Sequence, residues 1–267
     1  MQASDYPYFQ KPFLALAHRG GSDWPANRGR ENTLHAFGQA VALGYTHLET
    51  DVHATRDGRL VAFHDDVLDR VTDGHGSVAQ TDFATLRRAR IAGIDQIPTL
   101  DEVLESFPQA RINIDIKAPG AVEPLVECLR AHRAQDRVCV GSFGARRLNR
   151  FRRLMGGRVA TAAGPVGVAW AARMPVLPRL LASPGVALQI PEETTVRGRR
   201  VRILTPWLLD AAHRRGKVVH VWTVNDATRM HQLIDHGVDG LVTDEIGVLR
   251  EVLVERGLWQ QGPLPHC

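Results

Sequence analysis

Short runs of aliphatic and β-branched residues recur at 13–17, 46–51, 111–117, 137–142, 158–163, 186–190, 217–223 and 239–243. Between them lie amphipathic stretches of helical length, so the pattern alternates between the periods of strand and helix. Several helix ends are legible. Thr99-Leu100-Asp101-Glu102 is a capping box, in which a threonine and a glutamate three residues apart satisfy each other's free amides. Thr205-Pro206 pairs a cap with a proline at the first helical position. The pairs Leu43-Gly44 and His236-Gly237 end two further helices, and Gly216 precedes the seventh strand. Strand–helix repeats imply a parallel sheet with right-handed crossovers. Eight of them predict a single α/β domain over residues 1–267, a closed (β/α)8 TIM barrel, with an open doubly wound sheet as the alternative.

The repeat breaks once. Residues 52–98 are too many for a simple strand-to-helix loop. Within them Thr55-Arg56-Asp57-Gly58-Arg59 reads as a turn between two hydrophobic runs. It sends the chain back through residues 60–63 to His64. The reading is a small inserted subdomain after strand two, residues 53–98, that caps the barrel rim and delivers a histidine to it.

Composition adds a little. A hydrophobic share of 44% with 23% charged residues is ample for a core. The formal net charge of +4 and arginine clusters at 146–147, 152–153, 197–202 and 214–215 invite a nucleic-acid reading. Acidic residues share those elements and no aromatics interleave with the arginines, so the clusters read as solvated faces and no nucleic-acid partner is expected. No apolar run approaches the roughly 20 residues of a bilayer span, and the first residues lack the pattern of a signal peptide, so no stable membrane insertion is expected. Cys128, Cys139 and Cys267 form no Cys-x-x-Cys pair and read as reduced thiols, hence a cytoplasmic location. Oligomeric state is not legible.

The chemistry concentrates at strand ends. Glu49 and Asp51, at spacing two on an extended segment, point to one face and repel each other, which calls for a compensating cation. Asp115 and Lys117 share a face of another strand. His18 and Arg19 follow the first strand, and His64 ends the return run. Trp222 stands at the end of the seventh strand. These positions share the C-terminal rim on which barrel enzymes build active sites. Two histidines, three carboxylates, an arginine and a lysine suit metal-assisted cleavage of a phosphate ester. An all-carboxylate set favours Mg²⁺ or Ca²⁺ over zinc. Plainer readings stand beside these: Lys117 as an ion-pair partner of Asp115, Trp222 and His220 as core packing, Glu31 as a charge near a helix N-terminus. The remaining histidines, His47 and His132 among them, read as surface or packing.

The motifs His18-Arg19-Gly20, Glu31-Asn32-Thr33, Glu49-Thr50-Asp51 and His64-Asp65-Asp66-Val67-Leu68-Asp69-Arg70 closely resemble the glycerophosphodiester phosphodiesterases. So do residues 97–104, Asn113-Ile114-Asp115-Ile116-Lys117, Val221-Trp222-Thr223-Val224-Asn225, Gly237-Val238-Asp239-Gly240 and Thr243-Asp244, in family order. The resemblance implies a (β/α)8 barrel, a divalent cation (Mg²⁺ or Ca²⁺), and cleavage of a small-molecule glycerophosphodiester to glycerol 3-phosphate and an alcohol. It implies His18 and His64 as the acid–base pair and Glu49, Asp51 and Asp115 as metal ligands. Arg19 and Lys117 would contact phosphate, and Trp222 would pack near the glycerol. The sequence departs from the family in two places. Residues 21–30 are longer than usual, which is expected to alter one wall of the mouth, and the third ligand is aspartate where glutamate is common. Two other functions compete: phospholipase D-like cleavage of lysophospholipids, aided by the apolar residues 166–181, and a non-catalytic binding barrel. An amidohydrolase is disfavoured by His-Arg-Gly where such barrels show His-x-His.

Overall fold

This computed structural model describes residues 1–163, 184–196 and 198–259. Residues 166–181 and Cys267 therefore lie outside the described residues. The strands are β1 Leu14–Ala17, β2 His47–Ala54, β3 Leu60–Ala62, β4 Arg90–Ile91, β5 Asp95–Gln96, β6 Arg111–Ile116 and β7 Val138–Gly141. They continue with β8 Ala160–Thr161, β9 Ala187–Ile190, β10 Glu193–Val196, β11 Arg199–Arg202, β12 Val218–Val221 and β13 Gly240–Thr243. Eight of them pair in parallel in the order β8-β7-β6-β2-β1-β13-β12-β9. The ring closes between its two ends: Ala162 bridges Ala187, the Ala163 amide donates to the Ala187 carbonyl at 2.7 Å, and the Val186 amide to the Thr161 carbonyl at 2.8 Å. The eight strands fall where the hydrophobic runs place them, and the closed barrel prevails over the open sheet.

Helices cover the barrel. Thr99 accepts from the Glu102 amide at 3.1 Å while Glu102 accepts from the Thr99 amide at 2.8 Å, completing the capping box of helix Leu100–Ser106. Thr205 accepts from the Leu208 amide and Asp226 from the Arg229 amide, opening helices Pro206–His213 and Ala227–Asp235. The latter ends at His236, and Gly237 takes φ 84, a left-handed turn that a side chain would strain. Their apolar faces join the outward residues of the strands in one core, with Leu48, Ile112, Ile114, Val140 and Leu241 fully buried.

β2 runs past the rim and pairs antiparallel with β3, Val52 opposite Ala62 and Ala54 opposite Leu60, around the turn predicted at 55–59. The segment that follows has a small core of its own, with Phe63, Leu86, Ile91 and Ile97 almost wholly buried. At the opposite end of the barrel the 3₁₀ turns Ala3–Asp5 and Pro7–Phe9 cross the floor, and Tyr8 and Phe9 pack with Leu14, Leu16 and Val186. Arginines 199, 200 and 202 lie on the β10–β11 hairpin, largely exposed. Neither the floor nor this hairpin is among the elements expected from the sequence. Among the described residues no helix is long and apolar enough to cross a membrane. Cys128 and Cys139 are buried free thiols.

Candidate active site

A cleft of about 320 Å³ opens at the C-terminal ends of the strands. His18, Arg19, Glu49, Asp51, His64, Asp115, Lys117 and Trp222 all line it. The register explains the convergence. Asp51 stands directly opposite Asp115 across the parallel β2–β6 pair, so both carboxylates and Glu49 face inward together. His18 and Arg19 follow β1 in a tight turn, with Arg19 at φ 51. Gly20 lets that turn approach the first helix: a Cβ there would sit 2.7 Å from the Ala36 Cβ.

Each histidine is held by a carboxylate on Nδ1. His18 Nδ1 lies 2.7 Å from Asp244 Oδ1, and His64 Nδ1 lies 2.5 Å from Asp65 Oδ1. A carboxylate accepting from Nδ1–H fixes the tautomer and leaves Nε2 as the nitrogen free to exchange a proton. Burial disfavours charge on His18, but the Asp244 bond and the Glu49 carboxylate, 3.9 Å from Nε2, outweigh it and raise its pKa above the usual imidazole value. Asp244 also accepts from Ser22 at 2.8 Å and from Asn225 at 3.1 Å.

The acidic cluster is unevenly neutralised. Lys117 Nζ lies 2.8 Å from Asp51 Oδ1 and 2.9 Å from Asp115 Oδ2, so it pairs with both carboxylates rather than with Asp115 alone. Arg19 Nε lies 3.3 Å from Asp51 Oδ2. Burial opposes ionisation of Asp51, yet Lys117 and Arg19 prevail and its pKa is lowered. Glu49 goes the other way: burial first, and repulsion from Asp51 second, push its carboxyl up despite His18, Arg19 and Lys117. Burial also raises Asp115 against the pull of Lys117. Three carboxylates, Glu49 and Asp51 buried and Asp115 partly so, with two fixed cations against them fit a hard divalent ion by donor type and by charge, Glu49 being the carboxylate left short of a counter-ion.

The rest of the cleft is different in character. Phe143 and Trp222 meet edge to face at 5.8 Å, and the Lys117 ammonium lies 5.7 Å from the Phe143 ring centre. With Ile190, Pro191 and Ile203 they make an apolar wall opposite the charged one.

Some functional residues escaped the sequence reading. Glu31, set aside as a helix-terminal charge, accepts from Arg19 Nη1 at 3.1 Å and from Arg70 Nη2 at 2.6 Å. Arg70 also donates to Asp65 at 2.5 Å, so a chain of ion pairs runs from His64 in the insertion to Arg19 in the barrel. The bond from Arg70, helped by His64 and opposed by burial, holds the Asp65 carboxyl down at about 2. Asp65, Arg70 and Asp244 lie inside the family motifs; only for Asp65 does the sequence offer a signal, a carboxylate next to a histidine. None of the residues of the longer segment 21–30 lines the cleft itself, but Ser22 donates to Asp244 beside it. Within that segment Asn27 is fully buried and donates to the carbonyls of Gly20 and Gly21, which pins the turn that carries His18.

Comparison with known proteins agrees with this geometry. The Glycerophosphoryl diester phosphodiesterase family matches residues 18–248. The chain is 39% identical over 251 residues to a probable glycerophosphodiester phosphodiesterase 2 of Mycobacterium tuberculosis, covering 92% of each chain. It is 27% identical to a lysophospholipase D of Mus musculus, over 89% of this chain and 85% of that one. Among solved structures, an Oleispira antarctica phosphodiesterase in complex with the product sn-glycerol-3-phosphate superposes with TM-score 0.75 at 25% identity, covering 90% of this chain and 96% of the other. A putative glycerophosphoryl diester phosphodiesterase from Silicibacter pomeroyi shares the fold at TM-score 0.78 and 23% identity, over 94% and 98% of the two chains. The chain that carries this two-histidine cleft belongs to the glycerophosphoryl diester phosphodiesterase family.

Proposed function

We propose that this glycerophosphodiester phosphodiesterase releases glycerol 3-phosphate and an alcohol by divided proton transfer at a phosphate held between two walls of the cleft. The observation that carries the reading is the pair of carboxylate-anchored imidazoles, His18–Asp244 and His64–Asp65, in one cleft with Arg19 and Lys117. With Nδ1 tied to a carboxylate, one imidazole takes a proton at Nε2 from the attacking group, water or the substrate's own glycerol hydroxyl. The other delivers one to the departing oxygen, which is a poor leaving group unaided. Arg19 presents a planar fork and Lys117 a point charge to the non-bridging oxygens. Glu49, Asp51 and Asp115 would hold a divalent cation, Mg²⁺ or Ca²⁺. When bound it supplies positive charge to the phosphoryl oxygens. Trp222 packs beside the glycerol, and the 53–98 insertion serves as the cap that brings His64. A cytoplasmic location remains the reading from the reduced cysteines.

Glycerol 3-phosphate release from a panel of glycerophosphodiesters, with Mg²⁺, Ca²⁺ or a chelator, tests this. Turnover that depends on a divalent ion supports it, and full turnover after exhaustive chelation overturns the cation assignment. The apolar wall of Phe143, Ile190, Pro191, Ile203 and Trp222 favours one second reading, cleavage of lysophospholipids. A kcat/KM on lysophosphatidylcholine above that on glycerophosphocholine would select it.

A further inference from the structure

Away from the cleft, on the outer face of the barrel, three side chains of different chemistry converge. Cys128 lies in helix Val122–Ala131 and His132 caps its C-terminus, four residues on, so both project from one face. Asp101 comes from the first turn of helix Leu100–Ser106. His132 Nε2 is 2.9 Å from Asp101 Oδ1, and one donor atom from each of the three residues lies within 4.8 Å of the other two. Among the described residues no other trio of His, Cys, Asp and Glu gathers so closely, the carboxylates of the cleft included. Cys128 is buried, whereas Asp101 and His132 are partly exposed, so solvent reaches one side of the cluster.

We infer that Asp101, Cys128 and His132 form a metal site for a borderline-soft divalent ion such as Zn²⁺, with water as fourth ligand. Thiolate and imidazole select such an ion over the hard cations suited to the cleft. Tetrahedral bonds of about 2.0–2.3 Å put ligand atoms roughly 3.3–3.8 Å apart, so closure asks for a shift of about 1 Å. The end of a helix at His132 can supply it. Binding expels the thiol proton to solvent and forms the metal–sulfur bond. It takes the lone pair of Nε2, with the imidazole proton on Nδ1, in place of the present contact to Asp101. The ion would pin two consecutive barrel helices together and leave the cleft untouched.

Cobalt titration of the metal-stripped full chain tests the site. Thiolate–Co²⁺ binding gives a near-ultraviolet charge-transfer band that an oxygen and nitrogen site such as the cleft does not. We expect one equivalent to raise the band and Zn²⁺ to bleach it. The band should be lost in Cys128→Ser and kept in Cys139→Ser and Cys267→Ser. Asp101→Asn and His132→Ala should weaken binding by more than the roughly 10–100-fold that loss of an outer partner costs. Zn²⁺ should raise the melting temperature of the native chain but not of Cys128→Ser, while turnover is equal in the two. No band in the native chain, a band that survives in Cys128→Ser, or one lost in Cys267→Ser would overturn the inference. Should Cys128→Ser fail to fold, His132→Ala decides by the same band.

Discussion

Arg70 and Glu31 form a two-pronged ion pair, Nη2 to Oε1 at 2.6 Å and Nη1 to Oε2 at 3.0 Å, that joins the insertion to the barrel rim. Because Arg70 also holds Asp65, which meets His64, and Glu31 also holds Arg19, one guanidinium anchors His64 and Arg19 together. Arg70→Ala should lower kcat/KM by roughly 10–100-fold, the usual cost of losing an outer partner of a functional side chain. Arg70→Lys should recover little, since an ammonium cannot make both forks. A variant with native kinetics would show that His64 and Arg19 hold their places without this bridge.

The His18–Asp244 bond makes a second prediction. Asp244→Asn offers an amide N–H to Nδ1 and stabilises the wrong tautomer, so turnover should fall by roughly 10²–10⁴ with little change in melting temperature. Added to His18→Ala, it should cost almost nothing further, because the aspartate acts through the imidazole. Additive losses in the double variant would mean that Asp244 contacts substrate in its own right.

The barrel was legible because hydrophobic runs of strand length recur eight times, and the rim because side chains at spacing two share a face. Residues 49 and 51 could thus be paired from the sequence. The pairing of Asp51 with Lys117 could not, since it depends on β6 lying beside β2 in one register. The Glu31–Arg70–Asp65 chain was hidden for the same reason: its members are up to 39 residues apart and meet only once the insertion folds back. Tyr8 and Phe9 look like ordinary surface-start residues in a polar N-terminus, and only the closed floor of the barrel makes them core. The β10–β11 hairpin was masked by its arginines, which suit an exposed hairpin as well as a solvated helix.

Glu49 and Asp51 should differ in sign when neutralised in the chelated protein. Glu49 is pushed toward protonation, so Glu49→Gln removes a repelled charge and should raise stability by about 1–3 kcal/mol. Asp51 pairs with Lys117 and lies beside Arg19, so Asp51→Asn should lower stability by about 1–3 kcal/mol. Both should abolish most turnover with a divalent ion present. Urea melts in chelator check the signs, and the same direction for both variants would refute this division of charge.

His18 and His64 should separate by leaving group. Each alanine variant should lose roughly 10²–10⁴ in kcat on a glycerophosphodiester. On a substrate that releases p-nitrophenolate, which departs without a proton, the variant lacking the acid should recover most of its loss, and the variant lacking the base should not. Equal losses on both substrates would recast the histidines as phosphate-binding groups.

Two further histidines should weaken the fold in acid. His47 and His220 are buried at the closed end of the barrel, and burial lowers their pKa to about 3 and about 4. The Tyr8 carbonyl partly counters this for His47. Neither ring nitrogen of His220 has a hydrogen-bond partner among the described residues. In the unfolded chain both titrate near 6.5. Above that pH they are neutral in either state and their contribution is whole. As pH falls from about 6.5 toward 4 the unfolded chain binds protons that the native fold refuses. Stability then drops by up to about 1.4 kcal/mol per pH unit for each histidine. The raised His18 works in the opposite direction, so the readout is the difference between variants rather than the total slope. His220→Leu should match the native chain at pH 7.5 and exceed it progressively at pH 6 and pH 5 in urea melts. A stability difference that does not change with pH over that range would show that His220 is protonated inside the fold.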